Sequence, residues 1–583
     1  MGFTEYHYFR PYLIKKIIMN KISKLFLAAI LLGGTAFAQN DSTKKEKEKI
    51  PNNWHQLDAA TTGYNGISLD KAYSLIKSKN LKSTRIIVAV IDSGIDTLHE
   101  DLKPILWTNP KEIPGNGIDD DKNGYIDDVH GWNFIGGKDG KSVKEDSYEA
   151  TRVYWKLKSK WDGKTVDEAG LSKADKEEYS SFKKAQEKTV GDGKGTDGQL
   201  IMLKRIQTKL ASADSLLKIA LGKAEFTGTE LDAFKPQNSD DTKAKTALLS
   251  LMKGNDAMDQ TNKDFINGLN EYIGGEEKKE EAKKNPPKEY RKVIVGDDES
   301  NINQRNYGNN DIMASTPFHG THCSGIIAAA RNNEKGVDGI ADNVRIMMVR
   351  AVPDGDEHDK DIANAIRYAV DNGARIISMS FGKDFSPEKN WVDDAFRYAE
   401  SKSVLLVHAA GNDAKNVDTA DNFPNPIYKD GKGRAGNIIT VGASGNMNNG
   451  GITASFSNYG KAEVDVFAPG VGIYSTIPGG TTYGNASGTS MACPVVAGIA
   501  ALILEHYPKL TPQQLKFAIE KSVVAPTEKV NIPGTDEKVN LSEISRTGGV
   551  VNAYEAVKLA GTLKTEKPKT ILPKSKIKKT KMG

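Results

Sequence analysis

Three residues that lie far apart in the sequence are of the types that together can activate a hydroxyl group for attack on a carbonyl carbon. Asp92 ends the apolar run IIVAVI, His319 opens the small-residue run HGTHCSG, and Ser490 lies in NASGTSMACP. A serine hydroxyl is a poor nucleophile unless an imidazole removes its proton, and that imidazole needs a carboxylate to fix its tautomer. The sequence contains one candidate of each type in a setting that suits it.

Each of these residues also has a simpler interpretation. Ser490 could serve simply as a helix cap, Asp92 could cap a turn, and His319 could pack in the core. His319 and His322 could form a metal pair, but the sequence lacks a nearby third ligand and the glutamate of an H-E-x-x-H motif, so zinc is disfavoured. The chain order, Asp then His then Ser, is one of the orders that serine hydrolases use.

The elements that must position these residues are those of a doubly wound α/β domain. Runs of β-branched and apolar residues alternate with helical segments such as 361–372 and 391–401. Strands that are apolar on both faces predict a parallel sheet with helices on both sides, and ligands bind at the carboxyl ends of its strands. The predicted strands cover residues 86–91, 344–349, 375–379, 404–407 and 437–441.

The motifs VIDSGID, HGTHCSG and SGTSMACP resemble the three signature motifs of the subtilisin-like serine proteases, the subtilases. The resemblance covers about residues 54–135 and 306–560. It implies a subtilisin-like fold, with Asp92 as the orienting acid, His319 as the general base and Ser490 as the nucleophile. Asn412, in AAGN, matches the family's oxyanion donor.

The resemblance also suggests where substrate binds. Ser380, Phe381 and Gly382 resemble the edge segment that pairs with an extended substrate backbone, which is a form of strand addition. Together with Ala409, Ala410 and Gly411, this segment would form the wall of the primary specificity pocket. Asp413, beside Asn412, would favour a basic substrate side chain at the pocket rim.

Two cysteines and one proline follow the candidate residues closely. Cys323 lies four residues after His319 and Cys493 three after Ser490, so each is expected one turn inside a helix under the site. We expect both to be buried and unpaired, although a disulfide between them remains an alternative. Pro494 is expected in the first turn of its helix, where no backbone N–H needs a partner.

The acidic stretch GIDDDKNGYIDDVHGW predicts a calcium site. Asp119, Asp121, Asn123 and Asp127 follow the ligand spacing of an EF-hand loop, with a glycine at its sharp turn. His130 replaces the usual final glutamate, so Asp128 is the candidate for the missing oxygen. The loop is not a true EF-hand, and a solvated acidic turn is the alternative.

Composition and charge divide the chain into five predicted parts. A basic segment, an apolar run and the A-x-A pattern Ala36-Phe37-Ala38 predict a leader and secretory signal at 1–38, with Met19 as the true start and an exported, extracellular or periplasmic product. No run is long enough for a permanent transmembrane anchor. The remaining parts are the first catalytic segment at 39–135, a charged and mainly helical insertion at 136–305, the second catalytic segment at 306–560 and a Lys-rich disordered tail at 561–583.

These features predict an exported serine endopeptidase that acts on proteins or peptides. With the basic ends set aside, residues 39–560 are net acidic, which argues against a nucleic-acid partner. The insertion could gate substrate entry, bind a partner or replace an inhibitory propeptide. The alternative function is a catalytically silent subtilase-like binding module with the insertion as its interaction surface. An esterase or lipase is disfavoured because a G-x-S-x-G motif is missing at Ser490.

Overall fold

The structure is a computed structural model that describes residues 50–191, 197–255, 257–258, 260–314, 316–447 and 451–564. The predicted signal at 1–38 lies outside these residues, as does the predicted tail beyond residue 564. Contacts between Cα atoms group residues 50–186 and 287–564 into one compact unit and residues 187–286 into another.

A seven-stranded sheet forms the centre of the larger unit. All its strands are parallel, in the order β2-β3-β1-β4-β5-β6-β7. Two-stranded antiparallel sheets are formed by β8 with β9 and by β10 with β11. The strands are β1 (Ile86–Asp92), β2 (Gly131–Asn133), β3 (Val344–Arg350), β4 (Ile376–Met379), β5 (Leu405–Ala409), β6 (Ile438–Ser444), β7 (Val466–Pro469), β8 (Ile473–Ile477), β9 (Thr482–Ala486), β10 (Val530–Asn531) and β11 (Lys538–Val539).

Helices lie on both faces of the large sheet. Short 3-10 helices at Trp54–Gln56, Lys103–Ile105, Glu168–Gly170 and Leu541–Glu543 add to them. The α-helices are α1 (Ala59–Thr62), α2 (Leu69–Ser78), α3 (Glu149–Trp161), α4 (Lys173–Thr189), α5 (Asp197–Leu221), α6 (Gly228–Ala233), α7 (Ser239–Gly254), α8 (Asn262–Lys284), α9 (Tyr290–Val295), α10 (Phe318–Ala328), α11 (Asp359–Asp371), α12 (Lys389–Ser401), α13 (Thr489–His506), α14 (Pro512–Lys521) and α15 (Ala553–Ala560).

Strand β1 shows why the sheet is buried on both faces. Val88 and Val90 belong to the hydrophobic cluster on one face, and Ala89 and Ile91 belong to the cluster on the other. Successive strand residues point to opposite faces, so a run that is apolar at every position can bury both. Each predicted strand overlaps an observed one, and the predicted doubly wound parallel sheet is confirmed.

Helix α13, which begins with the candidate nucleophile region, is the most apolar helix of the described chain. Val495, Val496 and Ile499 are fully buried in the cluster on one sheet face. Among the described residues α13 is also the one helix long and apolar enough to cross a membrane, but 89% of that window is buried inside the fold. Its apolar character is therefore explained by its position in the core.

The smaller unit contains helices α5 to α8 and has a hydrophobic cluster of its own. Leu210 and Leu217 of α5 pack in this cluster with Leu248 and Met252 of α7. Thr227 caps α6 in a reciprocal capping box with Glu230. The smaller unit covers only residues 187–286 of the predicted insertion at 136–305. The two ends of that insertion, which contain α3 and α9, belong to the larger unit.

Candidate active site

Asp92 is the last residue of β1, at the carboxyl edge of the sheet. Its side chain is 2% exposed, and Oδ1 accepts a hydrogen bond from the backbone N–H of Ser93 at 2.7 Å. A buried carboxylate with few partners is available to a neighbouring donor. That donor is His319.

His319 lies in the first turn of α10, and its ring faces Asp92. Nδ1 is 2.8 Å from Oδ1 and 2.9 Å from Oδ2 of Asp92, so the carboxylate fixes Nδ1 as the protonated nitrogen. Desolvation alone would lower the pKa of His319, but the charge of Asp92 raises that pKa well above its ordinary value. The arrangement leaves Nε2 as the nitrogen that can accept a proton.

Ser490 is the second residue of α13. Its hydroxyl donates to the backbone carbonyl of Ser380 at 3.2 Å. Ser490 and His319 both lie in the described part of the chain, and they form no hydrogen bond with each other there. The two residues are nevertheless close, because Sγ of Cys323 lies 4.0 Å from Nδ1 of His319 and 3.3 Å from the carbonyl oxygen of Ser490. Contacts of this kind often tighten only when substrate binds.

Pro494 corrects one expectation about this helix. It is the sixth residue of α13 rather than a first-turn residue, so its ring removes the N–H that would have bonded the carbonyl of Ser490 four residues earlier. That carbonyl instead accepts hydrogen bonds from Oγ of Ser380 at 3.0 Å and from Sγ of Cys323. Pro494 therefore leaves the carbonyl of Ser490 free to accept these bonds from Ser380 and Cys323.

Asn412 follows β5, and its side chain is held next to Ser490. The amide N–H and the hydroxyl of Thr489 both donate to Oδ1 of Asn412. A Cβ added at Gly488 would lie 3.5 Å from Nδ2, which places that amide nitrogen beside the turn before Ser490. The side chain thus has a donor that these bonds leave available.

The predicted substrate-binding residues form a connected wall. Ser380, Phe381 and Gly382 follow β4, and the carbonyl of Phe381 bonds Nε2 of His408 at 2.8 Å. Burial lowers the pKa of His408 to about 4, so its ring is neutral and supports the wall without adding charge. Ala409 and Ala410, which follow His408, are buried.

Asn422 is a residue of this region that the sequence did not reveal. A Cβ added at Gly382 would lie 3.6 Å from Oδ1 of Asn422, and one added at Gly411 would lie 3.5 Å from the same atom. The carboxamide therefore lies beside both segments of the predicted wall, between Gly382 and Gly411. No spacing rule connects residue 422 to either wall, so only the fold could have identified it.

Asp413 is exposed and paired with a lysine. Its carboxylate lies 3.0 Å from Nζ of Lys415, which is also 3.0 Å from Asp384. Lys415 is therefore shared by two carboxylates, and the three side chains together keep one negative charge.

The acidic loop brings two of the predicted calcium ligands together with a third residue. Oxygens of Asp119, Asp121 and Glu112 all lie within 4.8 Å of one another. Glu112 is 7% exposed, and its Oε2 has no hydrogen-bond partner among the described residues. Clustered carboxylate oxygens are the ligands that calcium prefers, so this donor set fits the ion. Glu112 precedes the acidic motif, so the spacing of that motif could not identify it.

The other predicted ligands have different partners. Asp127 accepts from the backbone N–H groups of Gly115 and Gly117, and Asn123 donates to Asp128. Asp128 also accepts from the hydroxyl of Tyr368 at 2.6 Å, and burial raises the pKa of Asp128 to about 6. These three side chains hold the loop in shape.

Both cysteines are buried and free, as expected. Cys323 contacts His319 and Ser490 as described, and Cys493 lies 3.3 Å from the carbonyl of Val407 and 3.5 Å from the hydroxyl of Ser378. Burial raises the pKa of both thiols, which keeps them protonated and able to donate. The alternative of a disulfide is wrong.

Known proteins with similar sequences were found for part of the chain. A thermophilic serine proteinase from Bacillus sp. (strain AK1) is 39% identical over 240 residues, which cover 41% of this chain and 52% of that protein. Thermitase from Thermoactinomyces vulgaris is 38% identical over 240 residues, 41% of this chain and 74% of thermitase. Subtilisin E from Bacillus subtilis (strain 168) is 38% identical over 208 residues and is covered over 50% of its length. The chain thus spans about half the length of two of these relatives and three quarters of the third.

Solved structures and a family model extend the comparison. The prenylagaramide maturation protease PagA matches 42% of this chain and 82% of its own, with 29% identity and a TM-score of 0.34. The model of the Subtilase family matches residues 83–543, a span that includes the strands of the large sheet, Asp92, His319, Asn412 and Ser490. The chain therefore belongs to the Subtilase family.

Proposed function

We propose that the protein is a serine endopeptidase that cleaves peptide bonds through an acyl-enzyme on Ser490. The observation that supports this most strongly is the pair of short contacts from Nδ1 of His319 to the buried carboxylate of Asp92. These contacts occupy Nδ1 and leave Nε2, the other ring nitrogen, able to act as a base. A core histidine or a capping aspartate has no need of this arrangement. Membership of the Subtilase family points to the same chemistry.

The proposed reaction uses each group at a defined atom. Nε2 of His319 takes the hydroxyl proton of Ser490 as Oγ attacks the substrate carbonyl carbon, and Asp92 stabilises the imidazolium that forms. Nδ2 of Asn412 and the backbone N–H of Ser490 donate to the developing oxyanion. His319 then gives its proton to the leaving amine. Water releases the acyl group by the reverse sequence of proton transfers.

The proposed substrates are protein segments in extended conformation. The segment Ser380–Phe381–Gly382 would pair with the substrate backbone, next to the carbonyl of Ser380 that already contacts the Ser490 hydroxyl. Asn422, between Gly382 and Gly411, would contact the substrate side chain before the scissile bond. The preference for a basic side chain that Asp413 would confer is a prediction that a peptide library tests.

Calcium is proposed as a structural ion in the acidic loop. Glu112, Asp119 and Asp121 would hold it, and the ion would reduce the repulsion among these three clustered carboxylates. Asp127 and Asp128 would keep their present bonds. Export remains a prediction from the N-terminal 38 residues.

The experiment that tests this function is digestion of casein by purified protein, with the cleaved bonds identified by mass spectrometry. We expect internal cleavages by the wild type and none by Ser490→Ala. Deletion of residues 187–286 separates two reasons for inactivity. Activity that appears only after the deletion would indicate blockage by the smaller unit, whereas inactivity of both proteins would support the binding-module alternative.

A further inference from the structure

A buried ion pair lies directly beside the proposed substrate-binding segment. Lys383 follows Gly382, and its ammonium group is 3.0 Å from Oε2 of Glu149 and 2.9 Å from Oδ1 of Asp359. The side chains of Lys383 and Glu149 are only 2% and 10% exposed. A lysine ammonium group is buried in this way only where carboxylates compensate its charge. The pair therefore joins the end of the segment firmly to the start of α3.

Glu149 and Arg152 also bind the chain that follows β3. The backbone N–H of Glu149 donates to Oδ2 of Asp356 at 2.7 Å. Nη2 of Arg152 donates to the carbonyls of Asp356 and Glu357 at 3.1 and 3.3 Å, and Nζ of Lys383 donates to the same Glu357 carbonyl at 2.8 Å. Since β3 and β4 flank β1 in the sheet, α3 connects the two segments that leave the sheet on either side of the Asp92 strand.

The chain before α3 continues these contacts. The N–H of Asp146 donates to the carbonyl of Asp354 at 3.0 Å, and the N–H of Asp354 donates to the carbonyl of Lys144 at 2.9 Å. The carboxylate of Asp146 lies 3.0 Å from Nε2 of His358. We call residues 144–152 the strap, because they bind residues 354–358, which follow β3, through both backbone and side-chain contacts.

Through Lys383, the strap is joined to residues 380–382, the segment that contacts Ser490. Ser380 exchanges two hydrogen bonds with Ser490, and only two residues separate it from Lys383. The backbone of Lys383 is also paired with Phe423 by hydrogen bonds of 2.9 and 2.8 Å. Residues 380–383 are therefore fixed at Ser490 at one end and at Lys383 at the other.

Both partners of the central pair are charged at neutral pH. Burial alone would raise the pKa of Glu149, but Lys383 and Arg152 hold it well below its ordinary range. Burial alone would lower the pKa of Lys383, but Glu149 and Asp359 raise it. The contact is thus an ion pair at neutral pH.

We propose that Glu149 and Lys383 are positioning residues that hold residues 380–382 in the extended conformation required to pair with a peptide substrate. The inference rests on the proposed endopeptidase function. Neither side chain touches the reacting atoms. The strap, which lies in the long stretch between Asp92 and His319, would therefore serve the binding of extended substrates rather than the chemical step.

The test compares two substrates in the variant Glu149→Gln. One is an anilide with four residues before the scissile bond, and the other is an ester of a single acylated amino acid. We expect kcat/KM for the long substrate to fall by about ten- to a hundredfold, mainly through KM, because a small displacement of a binding segment has an effect of that size. For the ester we expect a change within about twofold.

Three features keep the comparison interpretable. Glu149→Gln preserves shape, and Asp359 remains as a partner for Lys383, so the variant should fold. The ratio of the two substrates is measured on one preparation, so a smaller active fraction cancels. Lys383→Arg, which keeps the charge, should retain much of the wild-type ratio, whereas Lys383→Met should lose it.

Lys516→Met is the matched control, because Lys516 is a largely buried lysine paired with Asp465 and Glu520 at 3.0 and 3.3 Å. It should leave the substrate ratio unchanged. Equal losses on both substrates in Glu149→Gln, or no loss on either, would overturn the positioning role while leaving the proposed function intact. A wild type that hydrolyses neither substrate would overturn both.

Discussion

Thr489 fixes the orientation of the Asn412 side chain. Its backbone N–H and its hydroxyl donate to Oδ1 of Asn412 at 2.9 and 3.0 Å, and the same hydroxyl accepts from the N–H of Gly411 at 3.0 Å. A carboxamide has one oxygen and one NH2 group, so these bonds turn the NH2 group towards the space beside Ser490. A donor that is oriented before substrate arrives needs no reorganisation in the transition state.

Replacement of Asn412 should therefore impair turnover more than binding. We predict that Asn412→Ala lowers kcat by about 10²- to 10³-fold and changes KM little, because one oxyanion donor is lost. Thr489→Val keeps the N–H but removes the hydroxyl, so its loss should be smaller. Steady-state kinetics on a peptide anilide measure both. A loss confined to KM would contradict the oxyanion role.

The pH profile should follow the titration of His319. The ring must be neutral to accept the Ser490 proton, and Asp92 holds the pKa of His319 well above its ordinary value, so kcat/KM should rise with pH through a range that lies above the ordinary histidine pKa. In Asp92→Asn the carboxylate charge is gone. The acid limb should move to lower pH, and the plateau should fall by about 10⁴-fold.

Asp96→Asn is the control for this profile, since the Asp96 carboxylate bonds the N–H groups of Gly479 and Gly480 rather than His319. It should leave the position of the acid limb unchanged. An acid limb that stays in place in Asp92→Asn would mean that Asp92 does not set the pKa of His319.

The sheet and the candidate catalytic groups could be predicted because each depends on a local pattern. An apolar run such as 86–91 identifies a buried strand from its own residues, and the motifs around His319 and Ser490 are continuous in the chain. Asn412 was found in the same way. The structure brings His319, Ser490 and Asn412 to the edge of the sheet at which Asp92 ends β1.

Residues whose roles depend on contacts between distant segments could not be predicted. Asn422 matters only because it lies between Gly382 and Gly411, and Glu149 only because it meets Lys383, more than two hundred residues later. Pro494 was expected in the first helical turn because the sequence does not mark where α13 begins. Helix-capping patterns and residue spacings depend on residues that are near one another in the chain, so they cannot identify partners from distant segments.

The acidic loop should make stability depend on calcium. We predict that removal of calcium by a chelator lowers the Tm of the wild type by about 5 °C or more, because a bound ion stabilises only the folded state. The double variant Asp119→Asn/Asp121→Asn, and Glu112→Gln to a lesser degree, should lose this response. Calorimetry with and without chelator measures it.

Asp120→Asn is the matched control for the loop. Asp120 is in the same acidic run, but its carboxylate bonds the N–H of Ile113 and the side chain of Asn116. It should keep the calcium response of the wild type. An equal response in the Asp119→Asn/Asp121→Asn variant would contradict the proposed ligands.

Glu505 should make the fold less stable as the pH rises. Burial, with Asp342 nearby, raises the pKa of Glu505 to about 9, so the folded protein must bind a proton that the unfolded chain has released. This contribution to stability is complete below the ordinary glutamate pKa and is lost as pH rises to about 9. Glu505→Gln binds no proton. Its advantage over the wild type should grow by up to about 3 kcal/mol between pH 6 and 8.

Urea denaturation at several pH values measures this advantage, with the exposed Glu528→Gln as the control that should show none. A constant difference between Glu505→Gln and the wild type across this range would show that Glu505 is not protonated in the fold.

Covalent labelling examines whether Asp92 and His319 together make Ser490 a nucleophile. Purified protein is treated with a fluorophosphonate in the presence of calcium, and the labelled residue is identified by mass spectrometry. We expect one label, on Ser490, that is absent in Ser490→Ala and forms much more slowly in His319→Ala. Absence of labelling both in the wild type and in protein lacking residues 187–286, or labelling at the same rate in His319→Ala, would contradict it.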